Sequence, residues 1–169
     1  MLPNNKSPRL EWLEVIGSKQ KLLGYANEIQ IIREYNIATS KFGFGERLKS
    51  YQTPRGWHEI VEKIGHNCPM NSVFVGRKTT GEIYHADLKR QFPERDWILT
   101  RILWLSGLEK GKNLDGEVDT KARYIYIHGT PDDVTLGVPS SHGCMRMHNE
   151  DLVDLFDLVD IGTKVLITE

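Results

Sequence analysis

The strongest helical period in the chain is confined to one stretch near its end, "NEDLVDLFDLVDIG", residues 149–162. Leu152, Leu155, Phe156 and Val159 recur there at helical spacing and would face a core. Asn149 is placed as N-cap, Glu150 and Asp151 suit the positive end of the helix dipole, and Gly162 lies just past the end. What precedes this helix is a succession of short β-branched and aromatic runs separated by turn residues: "LEWLEVIG", "KLLGYA", "IQIIREYNIAT", "SVFVGR", "DWILTRILWLSG" and "RYIYIHGT". "KVLITE" adds a closing strand, and "WHEIVEKIG" alternates Trp57, Glu59, Val61 and Lys63 with His58, Ile60, Glu62 and Ile64. In "RYIYIHGT", Tyr124, Tyr126 and His128 fall on one face and Ile125 and Ile127 on the other. "SKFGFGERLKSYQTPRG" reads as a surface loop, "GEIYHADLKRQFPERD" as polar chain broken by Pro93, and "LEKGKNLDGEVDTKAR" as a charged connector. The expectation is one strand-dominated domain over residues 1–169, with few helices.

Its 169 residues suffice for a core without staples, and 39% hydrophobic against 27% charged content is ordinary for a globular chain. A net charge of -1 with no basic stripe argues against a nucleic-acid partner. Prolines, asparagines and charges interrupt every apolar candidate in "MLPNNKSPRLEWLEVIG", so no secretory signal is expected there. No run approaches a membrane span. The expected location is the cytoplasm, or the periplasm if a leader preceding this sequence has been removed. Cys68 and Cys144 are then expected to stay thiols.

Chemistry concentrates in "VPSSHGCMRMHNEDL", residues 138–152, and in the histidine that ends "YIYIH". A cysteine nucleophile needs help to form its thiolate, a base to hold the proton, and donors for the oxyanion. Cys144 lies just before the helix start, where dipole and free N–H groups favour an anion. Gly143 permits a sharp turn and close approach to the main chain, so the N–H groups of His142, Gly143 and Cys144 can converge as an oxyanion hole. His128, sixteen residues earlier, is the candidate base, and the Gly129 carbonyl can fix its tautomer. The competing construction is a zinc site from His128, His142, Cys144 and His148, which lacks the paired short spacings of zinc motifs. No metal or cofactor is expected. Cys68 reads as packing, His148 as part of the helix start, and His58, His66 and His85 as surface or supporting residues. Arg77, Arg101 and Trp104 are further candidates for gripping a ligand, since an arginine in an apolar strand needs a reason.

"IHGT", a gap, and "SSHGCMRMHNEDLVDLFDLVDIGTKVLI" together resemble the catalytic signature of the L,D-transpeptidase (YkuD) family. "TPRG" at 53–56, preceded by "YNIATSKFG", resembles the family's Thr-Pro-x-Gly region, while residues 58–122 match no family motif. The resemblance implies a β-sandwich of mixed, mostly antiparallel strands with edge helices and the site in a cleft. It also implies attack on the bond between the L-centre of a diamino acid, usually meso-diaminopimelate, and the terminal D-alanine of a peptidoglycan tetrapeptide. Carried onto this chain, Cys144 is the nucleophile, His128 the base and Gly129 the orienting carbonyl, with His142 and Gly143 beside the oxyanion hole. Arg146 matches the family's arginine after the cysteine and would hold a substrate carboxylate, or else pair with Glu150 or Asp151. Ser141 would bond a backbone group or the substrate, and Tyr126 would line the substrate's path. Expected partners are a peptidoglycan-derived tetrapeptide or muropeptide and, as covalent inhibitors, carbapenems. A cytoplasmic location favours water as acceptor, an L,D-carboxypeptidase of murein recycling. The alternative is a cross-linking L,D-transpeptidase, and from another class a zinc-stabilised binding module.

Overall fold

In a computed structural model of the chain, residues 8–169 are described; the segment considered above for an export signal lies partly outside them, at residues 1–7. The elements are β1 (Trp12–Ile16), β2 (Lys21–Tyr25), β3 (Ile31–Asn36), β4 (Gly56–Ile64), β5 (Ser72–Val75), β6 (Lys78–Ile83), α1 (Ala86–Gln91), β7 (Ile98–Gly107), β8 (Tyr126–Gly129), β9 (Met145–Met147), α2 (Asn149–Leu158) and β10 (Lys164–Thr168). Strands run in the order β3-β2-β1-β10-β4-β7-β5-β6, and β8 branches from β7 to pair with β9. The pairings are antiparallel except β1 with β10 and β8 with β9.

Alternation explains how these strands close on a core. Leu13 and Val15 of β1, Leu22 of β2, Ile60 of β4, and Val165 and Ile167 of β10 all point inward. They share one apolar cluster with Ile127 of β8, Met145 and Met147 of β9, and Leu152, Leu155 and Phe156 of α2. The β8–β9 pair and α2 therefore cover the inner face of the β1–β2–β10 layer, and the expected mixed β-sandwich holds. Long β7 connects the layers, pairing with β4, β5 and β8. Among the described residues no helix is long and apolar enough to cross a membrane.

Several local expectations change. The polar stretch broken by Pro93 holds the end of β6 and the short α1, whose N-cap His85 accepts the Leu88 N–H. Only Leu88 of that helix is buried, so its charged sequence carries no helical period to read. At α2 the N-cap residue is His148, and Asn149 is the first helical residue with its side chain turned inward, 2% exposed. The helix ends at Leu158, and Gly162 (φ +94°) serves the turn into β10. Tyr124 lies outside β8 at φ +57°, so only Tyr126 and His128 share the strand face.

Candidate active site

The parallel β8–β9 pair sets the site. Ile127 stands opposite Met145, His128 opposite Arg146 and Gly129 opposite Met147. Paired residues of parallel strands point to the same side, and successive residues point to opposite sides. Ile127, Met145 and Met147 accordingly enter the core, while Tyr126, His128 and Arg146 take the other face. Cys144, immediately before β9, continues that second face and packs against the cluster containing Tyr126.

His128 is buried, with Nδ1 2.7 Å from the Gly129 carbonyl oxygen. That carbonyl only accepts, so Nδ1 carries the hydrogen in the neutral ring and Nε2 keeps its lone pair. Burial holds the imidazole below its usual range; nearby Asp96 opposes this and Arg146 reinforces it. At neutral pH the ring is a neutral base.

The Cys144 thiol retains partial access to solvent. Its Sγ accepts from the Tyr126 N–H at 3.3 Å and donates toward the Tyr124 carbonyl at 3.4 Å. Its crowded surroundings push the thiol up to about 12, against the pull of the Tyr126 N–H and, more weakly, of Arg146 and Arg123. This corrects the expectation of a dipole-stabilised thiolate. All of β9 stands between Cys144 and α2, and the dipole's effect is confined to the end turns of a helix. The resting group is a thiol that needs a base.

The turn before Cys144 is built around Gly143 at φ +129°, where a Cβ would lie 3.1 Å from Ile125 Cδ1 and 3.4 Å from the Gln52 carbonyl. Thr53 Oγ1 donates to the Gly143 carbonyl at 2.9 Å, giving the Thr-Pro-Arg-Gly stretch a place in the site. Ser141 is buried inside the turn, accepting the Gly143 N–H at 3.2 Å and donating to the Cys144 carbonyl. The Gly143 N–H is thus engaged, whereas among the described residues the N–H groups of His142 and Cys144 have no protein acceptor. His142 is exposed, its ring 6.0 Å from Phe42 and 6.3 Å from Tyr51.

Arg146 pairs neither with Glu150 nor with Asp151. It reaches Asp96 at 3.3 Å and the Ser140 carbonyl at 3.2 Å, because β9 aims it away from the helix. The Tyr126 phenol accepts from Arg77 at 3.1 Å, and the Arg77 guanidinium lies 4.6 Å above Trp104 and 5.0 Å above Tyr124. Arg101 instead donates to the carbonyls of Cys68 and Thr100, a framework role. A groove of about 220 Å³ is lined by Tyr51, Arg123, Tyr124, Ile125 and His142 among others, Tyr124 being the residue whose carbonyl the thiol approaches. Arg123 ties the 45–52 loop to it through the Gly45 and Gln52 carbonyls.

Of the three histidines read as surface or supporting residues, His66 and His85 are exposed and only His58 needs placing again. His58 is fully buried, not a surface residue. His85 caps α1, and His66 stacks on Phe156 with ring centres 6.5 Å apart. The four residues of the zinc construction do not converge, since His142 faces Phe42 and Tyr51 while His148 stands at the α2 cap. No cluster of three or more His, Cys, Asp or Glu side chains fit to hold a metal occurs among the described residues. The roles of Thr53, Tyr124, Arg123 and Asp96 were missed from sequence. Only Thr53 carried a signal, through its motif.

The chain matches the family model for the YkuD L,D-transpeptidase catalytic domain over residues 11–167. It is 43% identical over 135 residues to the probable L,D-transpeptidase ErfK/SrfK of Salmonella typhimurium, covering 72% of this chain and 41% of that protein. Among solved structures, the L,D-transpeptidase (residues 123-326) from Xylanimonas cellulosilytica superposes with a TM-score of 0.52 at 21% identity, covering 99% of this chain and 65% of that one. The catalytic domain of the E. faecium L,D-transpeptidase acylated by ertapenem superposes at 0.54 and 17% identity, covering 95% and 98%. These likenesses extend to the fold. The chain spans less than half the length of its Salmonella relative.

Proposed function

The chain belongs to the YkuD family of L,D-transpeptidase catalytic domains, and on that premise we propose that it cleaves the bond between the L-centre of meso-diaminopimelate and D-alanine in peptidoglycan tetrapeptides, with water as acceptor. The observation that carries this is the shared face of β8 and β9. It presents a gripped thiol and, on the neighbouring strand, a neutral imidazole whose Nδ1 is committed to the Gly129 carbonyl. Sγ attacks the carbonyl carbon while Nε2 of His128 takes the thiol proton. The N–H groups of His142 and Cys144 face the developing oxyanion. Collapse breaks the C–N bond, and the proton on Nε2 passes to the departing D-alanine amine. Water then attacks the thioester, giving a proton to His128 that returns to Sγ as the tripeptide acid leaves.

Water as acceptor is part of this proposal, set against the amine of a second stem peptide by the product assay. The substrate on this view is a tetrapeptide or muropeptide recycled in the cytoplasm. Incubating the full chain with disaccharide-tetrapeptide and following products by mass spectrometry tests it. Loss of one D-alanine without dimers is expected, and dimers would assign the cross-linking activity for which the relatives are named. Cys144→Ala abolishes all turnover; a fully active variant would exclude the covalent route. Since a structural relative is described as acylated by ertapenem, ertapenem should add its mass to Cys144 and not to the Ala variant.

A further inference from the structure

β7 does not run evenly past the catalytic strand. Leu99 pairs with Gly129 and Ile102 with His128, so Thr100 and Arg101 form a bulge opposite the His128–Gly129 peptide. Bulges recur beside active sites, where they re-aim side chains. Thr100 adopts φ +74° although it is β-branched, and it is fully buried. A β-branched residue holds that conformation only where its surroundings dictate it.

The surroundings are an amide. Asn149 Oδ1 accepts from Thr100 Oγ1 at 2.6 Å, and Thr100 Oγ1 accepts the Asn71 N–H at 3.0 Å. Asn149 Nδ2 donates to the Thr130 carbonyl at 3.0 Å and to Asn71 Oδ1 at 3.1 Å. Asn149 Oδ1 also presses on the Gly129 Cα, where a Cβ would lie 2.2 Å from it and 2.5 Å from the Leu99 carbonyl. An asparagine at a helix start ordinarily caps it, but α2 begins without a side-chain cap and Asn149 faces the strand. A forgone cap at a buried network is the kind of local rule-breaking found at functional sites.

We infer that Asn149, with Thr100 on the β7 bulge, is the positioning pair that fixes the Gly129 carbonyl and, through it, the tautomer and aim of His128. The inference rests on the assignment of His128 as the base. Asn149 touches no reacting atom. It holds the Thr130 carbonyl and packs against Gly129 itself, which restrains the carbonyl that receives Nδ1–H.

The test compares Thr100→Val, which keeps shape and loses the hydroxyl, with Thr100→Ser, which keeps the hydroxyl, and adds Asn149→Ala. Nitrogen NMR of the His128 ring reads the tautomer, and the rate of Cys144 acylation by ertapenem at saturation reads the aim. Thr100→Val and Asn149→Ala should mix the tautomers and slow acylation about ten- to a hundred-fold, the scale of a small misplacement. Thr100→Ser should match the wild type in both. An unmoved tautomer with an unchanged saturating rate in the folded variants would overturn the inference, whatever happens to their melting temperature. The ring spectrum decides even if the tetrapeptide is not turned over, a result that would count only against the proposed substrate.

Discussion

His58 on β4 and His128 on β8 are nearly the same object. Each is buried, each has Nδ1 against a glycine carbonyl, at 2.9 Å from Gly56 and 2.7 Å from Gly129, and each is held below the usual histidine range by burial. They differ at one atom. Nε2 of His58 meets Thr120 Oγ1 at 3.0 Å, whereas Nε2 of His128 has no hydrogen-bond partner among the described residues and lies on the face of the thiol. Burial and a depressed pKa are therefore common to a structural histidine and to the one proposed as the base. The lone pair left open is what separates them.

The sharpest way to break this comparison is to remove each ring. His128→Gln should cut D-alanine release by about a hundred- to ten-thousand-fold, the usual worth of a general base, with little change in melting temperature. Equal turnover in the variant would end the distinction. His58→Ala should leave turnover per folded molecule intact and cost about 3 kcal/mol, since the Gly56 carbonyl and Thr120 hydroxyl lose their partner in the interior.

The cost of His58→Ala should depend on pH. Burial brings His58 from 6.5 down to about 4, so the unfolded chain binds a proton in that interval that the folded chain refuses. The stability held by the neutral ring is complete above pH 6.5 and is lost as pH falls toward 4, about 3 kcal/mol in all at 1.4 kcal/mol per unit. Urea unfolding from pH 7 to 4 should show wild type and His58→Ala converging. Curves that stay parallel would mean His58 is not buried neutral. His128 has the same sign, and there it acts on rate as well, since the protonated ring is no base. Turnover should fall on the acid side.

His128 ends an apolar–polar rhythm in the sequence and His58 begins one, yet only His128 was read as important. The alternation that put His58 on the face of Ile60 already implied burial, because Ile60 is a core residue; the charged neighbours Glu59, Glu62 and Lys63 obscured it. Cys144, His128 and the Gly129 carbonyl were legible because one strand, one turn and one motif carry them. What positions these groups was less so. β9 is three residues long, too short to distinguish from a loop, and its parallel pairing depends on chain far away. The Thr100 bulge lies inside what reads as an unbroken apolar strand, and register shifts leave no periodic trace. Asn149 looked like a cap because capping is a local property, while its actual partners, Thr100 and Thr130, are brought to it by the fold.

The finest distinction between the two histidines is electrostatic. Asp96 and Arg146 form an ion pair at 3.3 Å that acts on both His128 and Cys144. The carboxylate raises both groups and the guanidinium lowers both, because negative charge favours the protonated form of a base and an acid alike. His58 answers to other charges, chiefly Glu109 and Glu46. Asp96→Asn should therefore shift the acid limb of turnover to lower pH by a fraction of a unit and make the thiol easier to alkylate at alkaline pH. The acid unfolding that His58 governs should stay in place. Arg146 keeps its bonds to Ser140 in this variant, so its position is preserved. Two limbs moving in opposite directions would show that Asp96 acts by moving a side chain, and a shift in the His58 transition would show that the two sites share one field.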